Sequence, residues 1–414
     1  MDNSIATQGS ALAPDTLVAS TSEASPAPQP SQRAAEAAAY LDQSRFHCRL
    51  TVPATDDHGL LTVTYAVAGA QSNSAHTVLF IGGMMGTRYL ATLGDFLCEK
   101  LGLRFVVVDR PGMGGSTDVD VSQRIAVWLE TVPVLMKELN VEHVSIFSHS
   151  CGVIYALNTI YAFPEILLPS NPTIHLFSPW VHPQQSEVKL MAVSSMLPSP
   201  LINHFNSVLS FVNQVAAPLF NFSGSVLTSA SGVLPSSSPE TTSSGQADRP
   251  KHERDDLCRE FQGVPAADVA ARSNEMMRRI WKENTSGANG EALLSLKKPR
   301  AGSWRVCDDY AKCPGELEAR ITQHFPQHNS GESGANPPPL EGPNLCITVF
   351  WAETDAMIGK KGAEYFDKCF KDFCGEQSSL KYRSDTVAET DHETLCDPQY
   401  GALPRALHDI TTTA

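Results

Sequence analysis

A series of short, continuously apolar runs constrains this chain most: TVLFIGG (77–83), RFVVVDR (104–110), HVSIFSH (143–149), TIHLFSP (173–179) and CITVFWAE (346–353). Runs of this kind suit strands buried on both faces. Between most of them lie helix-like patterns such as RYLATLGDFLCEKLG and RIAVWLETVPVLMKELN. Strand–helix alternation implies an α/β fold, a mostly parallel sheet with helices on both sides. Two earlier runs, RFHCRLTVPA and LLTVTYAVAGA, suit antiparallel strands.

With 414 residues, 42% of them hydrophobic and 18% charged, the chain has material for one large core with additions. Residues 1–32 are mostly Ala, Ser, Thr and Pro. Such a composition cannot bury enough apolar surface to offset its ordering entropy, so a disordered tail is expected. The sheet domain is expected over 45–182 and 344–407. The stretch between them, 183–343, carries amphipathic pieces, LMAVSSMLPSPLINHFNSVLSFVNQV and AADVAARSNEMMRRIWKEN. These are separated by SSSPETTSSGQADRPKHERDD and NSGESGANPPPLEGP, which read as flexible linkers. A helical cap inserted into the sheet domain is the expectation.

The net charge of −14 argues against a nucleic-acid surface, which needs clustered Lys and Arg. The start, MDNSIATQGSALAPDTL, has neither the basic beginning nor the apolar stretch of a secretory signal or membrane anchor. A cytoplasmic protein is expected. The ten cysteines are scattered, and the closest pair, Cys369 and Cys374, has no usual zinc spacing. Reduced, mostly buried thiols follow.

IFSHSCGVIYALNTI (146–160) changes rhythm midway, from an apolar run to a helical pattern, through Ser148-His149-Ser150-Cys151-Gly152. Strand, tight polar turn, then helix is the setting of a nucleophile elbow, with Ser150 at the apex. Residues two before and two after the apex approach neighbouring backbone and should be small; here they are Ser148, where glycine is usual, and Gly152. Gly-rich turns also follow two other strands, as Gly82-Gly83-Met84-Met85-Gly86 and Asp109-Arg110-Pro111-Gly112-Met113-Gly114-Gly115-Ser116.

On these motifs the sequence resembles the α/β-hydrolase superfamily, in its esterase-like branch with a cap, over about 45–182 and 344–407. The first glycine turn stands where such enzymes usually carry His-Gly-x-x-Gly, with Gly82 in place of the histidine. The second matches their DRPGxGxS turn. The implied function is cleavage of a carboxylic ester through an acyl-enzyme. A serine nucleophile, not an aspartate, disfavours epoxide hydrolase or haloalkane dehalogenase chemistry.

A serine hydroxyl needs a base within hydrogen-bond reach and a third group to fix that base, in chain order Ser, acid, His. Asp355 follows the strand CITVFW and His392 follows the last strand-like run, LKYRSDTVAE. Glu353 is the nearest competitor for the acid, while Asp391 is adjacent to the histidine and poorly placed to reach its Nδ1. The N–H groups of Met84 and Cys151 are expected to form an oxyanion hole. Met85, His149 and Trp180 are expected in or beside the substrate pocket, His149 in a structural or pocket role. Met84 and Met85 are expected beside the oxyanion hole, and the cap helices carry Leu190, Met191, Met196, Leu201, Phe205, Leu209, Phe211, Met276 and Met277. Most of these are expected to form the cap's own packing, while the face that a cap turns to the site points to a moderately hydrophobic small-molecule substrate. The chemistry needs no metal or organic cofactor. An acyltransferase, thioesterase or C–C bond hydrolase would use the same three residues, and a catalytically silent hydrolase-like scaffold is the reading from another class.

Overall fold

A computed structural model of the chain describes residues 29–188, 191, 198, 202, 249–298, 302–324, 344–375 and 378–411. An eight-stranded sheet runs through them, with strands β1 (Cys48–Val52), β2 (Leu61–Gly69), β3 (Thr77–Ile81), β4 (Arg104–Val108), β5 (Val144–His149), β6 (Thr173–Phe177), β7 (Leu345–Thr354) and β8 (Leu380–Asp391). Their spatial order is β1-β2-β4-β3-β5-β6-β7-β8. The β1–β2 and β2–β4 pairs are antiparallel, and every later pair is parallel.

Because side chains alternate across a strand, each apolar run feeds two cores. Leu79, Val106, Ile146, Ile174 and Val349 face one side. They meet helices α3 (Arg124–Glu138), α4 (Gly152–Ala162), α9 (Cys313–His324) and α10 (Gly359–Lys371). Their neighbours Phe80, Phe105, Phe147, Phe177 and Phe350 face the other, against α2 (Ala91–Leu101) and α11 (Ala402–Thr411). Several of these rings stack or tilt on one another, with centroids 5.3–6.0 Å apart, so one face of the central strands is an aromatic layer.

The insertion between β6 and β7 carries α5 (Pro183–Ser186), α6 (Lys251–Gln262), α7 (Ala266–Lys282), α8 (Gly287–Ser295) and α9. Part of it belongs to the core. Cys313, Leu317 and Ile321 of α9 are buried with the sheet's own helices, and Asn158 of α4 donates to the Trp304 carbonyl at 2.9 Å.

Three placements differ from the sequence reading. Lys251–Asp256, taken as linker, open α6. Residues 30–32, taken as the end of the tail, begin α1 (Pro30–Leu41), with Pro30 supplying a preset φ at the first turn. Arg279 of α7 caps the far end of α1, donating to the carbonyls of Ala38 and Leu41. Met276 and Met277 accordingly pack toward Tyr40, Leu41 and Tyr89, not over the elbow.

Met191 packs against the main core, whereas Leu190, Met196, Leu201, Phe205, Leu209 and Phe211 lie outside the described residues, as do most of the expected tail, residues 236–248 of the first linker and all of the second. All ten cysteines are free thiols. Among the described residues no helix is long and apolar enough to cross a membrane.

Candidate active site

Ser150 follows directly on β5 and adopts φ +53°, a left-handed conformation rare for a residue with a Cβ. The neighbouring backbone holds it there. Its N–H donates to the Phe177 carbonyl at 3.0 Å, and its own carbonyl accepts from Trp180 N–H at 3.1 Å and Val153 N–H at 3.2 Å. Gly152 is required by contact, since a Cβ there would sit 2.2 Å from the Ile81 carbonyl oxygen. Ser148 fits the position two before the apex, fully buried, with its hydroxyl left without a partner among the described residues.

The ends of β7 and β8 deliver the other two groups. His392 Nε2 lies 2.9 Å from Ser150 Oγ, and its Nδ1 lies 2.8 Å from Asp355 Oδ2. The other carboxylate oxygen of Asp355 accepts from the N–H groups of Met357 at 2.9 Å and Ile358 at 2.8 Å, which fixes the carboxylate in orientation. Burial disfavours the Asp355 anion, but the facing imidazole and these hydrogen bonds outweigh it and hold the carboxyl at about 2. Burial likewise disfavours the His392 cation, yet Asp355 raises its pKa to about 8. In the neutral ring, which prevails above about pH 8, this ionised acid makes Nδ1 the protonated nitrogen and leaves Nε2 free to accept from the serine.

The competing acids are engaged elsewhere. Glu353 accepts from the Glu389 N–H at 2.7 Å. Asp391 accepts from the N–H of Thr394 at 2.9 Å and of Glu393 at 3.1 Å, capping the turn after the histidine.

His149 and Trp180 are both buried. Burial first, then the neighbouring His392, pushes the pKa of His149 down to about 3, so it is neutral. Its Nε2–H donates to the His392 carbonyl at 2.8 Å, so the residue before the serine steadies the backbone of His392. Trp180 packs into the core with its indole N–H donating to the Ser295 carbonyl at 2.9 Å. Its part in the site is through its backbone N–H, which holds the Ser150 carbonyl.

In a trans peptide the C=O and the following N–H point in opposite directions, so a carbonyl held on one side aims an N–H toward the other. The Ser150 carbonyl is held by two donors, which orients the Cys151 N–H. The Gly83 carbonyl accepts from Gly86 N–H at 2.8 Å, which orients that of Met84. Gly83 lies against the serine, where a Cβ would be 3.3 Å from Ser150 Cβ. Among the described residues, neither Met84 N–H nor Cys151 N–H has a protein acceptor outside regular helix and strand ladders. Met84 and Met85 are half-buried beside them.

Charged side chains that sequence reasoning missed lie behind this turn: Arg110, Arg124 and Glu291, all fully buried. A single charged residue in α8, GANGEALLS, was the available signal.

No family model and no curated protein matches the sequence. Solved structures are similar at low identity. A carboxylesterase of Nitrososphaera gargenis is 11% identical, over 88% of this chain and 99% of that one, with a TM-score of 0.48. An esterase from Thermogutta terrifontis is 13% identical, over 88% and 97%, with a TM-score of 0.46. An epoxide hydrolase from Vigna radiata is 14% identical, over 90% and 100%, with a TM-score of 0.49. The chain's own strand order, the strand–turn–helix elbow after β5 and the order Ser150, Asp355, His392 along the sequence are those of the α/β-hydrolase fold.

Proposed function

We propose that the chain is a serine hydrolase that cleaves a carboxylic ester through an acyl-enzyme. The observation that carries this reading is the unbroken chain of hydrogen bonds from Ser150 Oγ through both ring nitrogens of His392 to Asp355. Ser150 Oγ attacks the ester carbonyl as Nε2 of His392 takes its proton. The new C–O bond pushes an electron pair onto the carbonyl oxygen, and the Met84 and Cys151 N–H groups donate to that oxyanion. Collapse breaks the bond to the alcohol, which leaves with the proton from Nε2. Water then attacks the acyl-serine with His392 again as base, releasing the acid and restoring the serine.

The half-buried Met84 and Met85 favour a moderately hydrophobic acyl or alcohol group. Ser150→Ala and His392→Ala should each lower kcat for a p-nitrophenyl ester by roughly 10⁴-fold or more while keeping the native circular dichroism. More than a tenth of the activity surviving in either folded variant would refute the proposal.

A further inference from the structure

Behind the Gly82–Gly86 turn, Arg110 directs its guanidinium at two backbone carbonyls. Nη1 donates to the Gly82 oxygen at 2.5 Å and Nη2 to the Gly83 oxygen. Its Nε lies 3.3 Å from Glu291 Oε1. The same carboxylate accepts from Arg124 Nε at 2.9 Å and Nη2 at 2.7 Å, and from the Tyr155 hydroxyl at 2.7 Å. Its second oxygen faces the Cys151 thiol at 3.9 Å. Glu291 comes from the insertion, whereas Arg110 follows β4 and Cys151 caps α4.

We infer that Arg110, held by Glu291, is a positioning residue for the oxyanion hole: it pins the Gly83–Met84 peptide and thereby aims the Met84 N–H at the reacting carbonyl. The inference rests on the reading of Ser150 as nucleophile and adds the part that aligns one of its oxyanion donors.

Three physical points support it. The Gly83 oxygen, already bonded to Gly86 N–H, takes a second and charged donor from Arg110, and charge-assisted hydrogen bonds are about twice as strong as neutral ones. The planar guanidinium reaches two successive carbonyls at once, which a single ammonium does less well. Finally, a buried ion cluster is a poor source of net stability compared with apolar packing of the same volume, so its presence here calls for another use. Burial opposes ionisation of Glu291, but Arg110 and Arg124 overcome this and keep it an anion. That anion touches the residues behind both donors: Arg110 behind the Met84 peptide, and Cys151 itself.

The test uses Arg110→Met, which removes the donors and keeps the bulk while Arg124 still neutralises Glu291, together with Arg110→Lys. Amide hydrogen exchange is measured over residues 82–86, and kcat and KM are measured on a p-nitrophenyl ester. Inhibition is compared for a trifluoromethyl ketone, whose hemiketal oxygen occupies the oxyanion position, and for the alcohol of the same skeleton. In Arg110→Met, exchange over 82–86 should accelerate and kcat fall about 100-fold, with KM changed less than about threefold. Ki for the trifluoromethyl ketone should rise by the factor that kcat/KM loses, with the alcohol unaffected. Arg110→Lys should recover roughly a tenfold part of the loss. Unchanged exchange, or equal weakening of both inhibitors, would overturn the inference. A wild-type chain that hydrolyses no ester while the exchange result holds would instead refute the proposed function and leave the anchoring of the turn standing.

Discussion

At His392, burial and charge pull in opposite directions, and the winner sets a pH dependence. Desolvation alone would lower the imidazole pKa; the Asp355 carboxylate at 2.8 Å from Nδ1 raises it to about 8. The base must be neutral to take the Ser150 proton, so kcat/KM for an uncharged ester should rise with pH and reach half its plateau near 8. The same ion pair contributes to stability below the ordinary histidine range and loses that contribution as pH rises through 8. Asp355→Asn removes the charge, so the rising limb should move to lower pH while the plateau falls about 10³- to 10⁴-fold. Glu353→Gln, whose carboxylate serves the β7–β8 edge, should leave both nearly unchanged. A limb that stays near 8 in Asp355→Asn would assign the shift to another group, and a larger loss in Glu353→Gln would make that residue the acid.

The elbow is an element-scale device, because β5 and α4 can meet at a positive-φ serine only if α4 starts tight against β3. Gly152 allows this, and a Cβ at 2.2 Å from the Ile81 oxygen has nothing flexible to displace. Gly152→Ala should therefore lower stability by about 3 kcal/mol, read as a fall in the urea midpoint at constant m. An unchanged midpoint would mean the helix start can shift at no cost.

The sheet and the elbow were legible from sequence because their signals are local. Continuous apolar runs mark strands covered on both sides, and small residues flank a turn that needs close backbone approach. The network around Glu291 was not legible, since Arg124 and Glu291 are 167 residues apart and pair only after the insertion has packed. The packing partner of Met276 and Met277 was hidden for a related reason: an apolar helical face says that something is buried against it, not what. Here the partner is α1, in a stretch whose alanine-rich, polar composition gave little sign of packing.

On the scale of the whole molecule, the site is assembled from segments on both sides of the insertion, with Ser150 and His392 242 residues apart. The insertion is tied to the core by charge pairs: half-buried Glu283 with buried Arg88, which also pairs with buried Asp109, and Glu291 with Arg124, both buried. On the proposed reading, activation of Ser150 therefore requires the complete fold and not the elbow peptide alone. The most direct measurement is stoichiometric labelling with a fluorophosphonate followed by intact mass and peptide mapping. The native chain should take up one phosphonyl group, on Ser150, while the urea-unfolded chain and folded His392→Ala should take up almost none. A native chain that stays unlabelled, or that carries the label on another residue, would contradict the account.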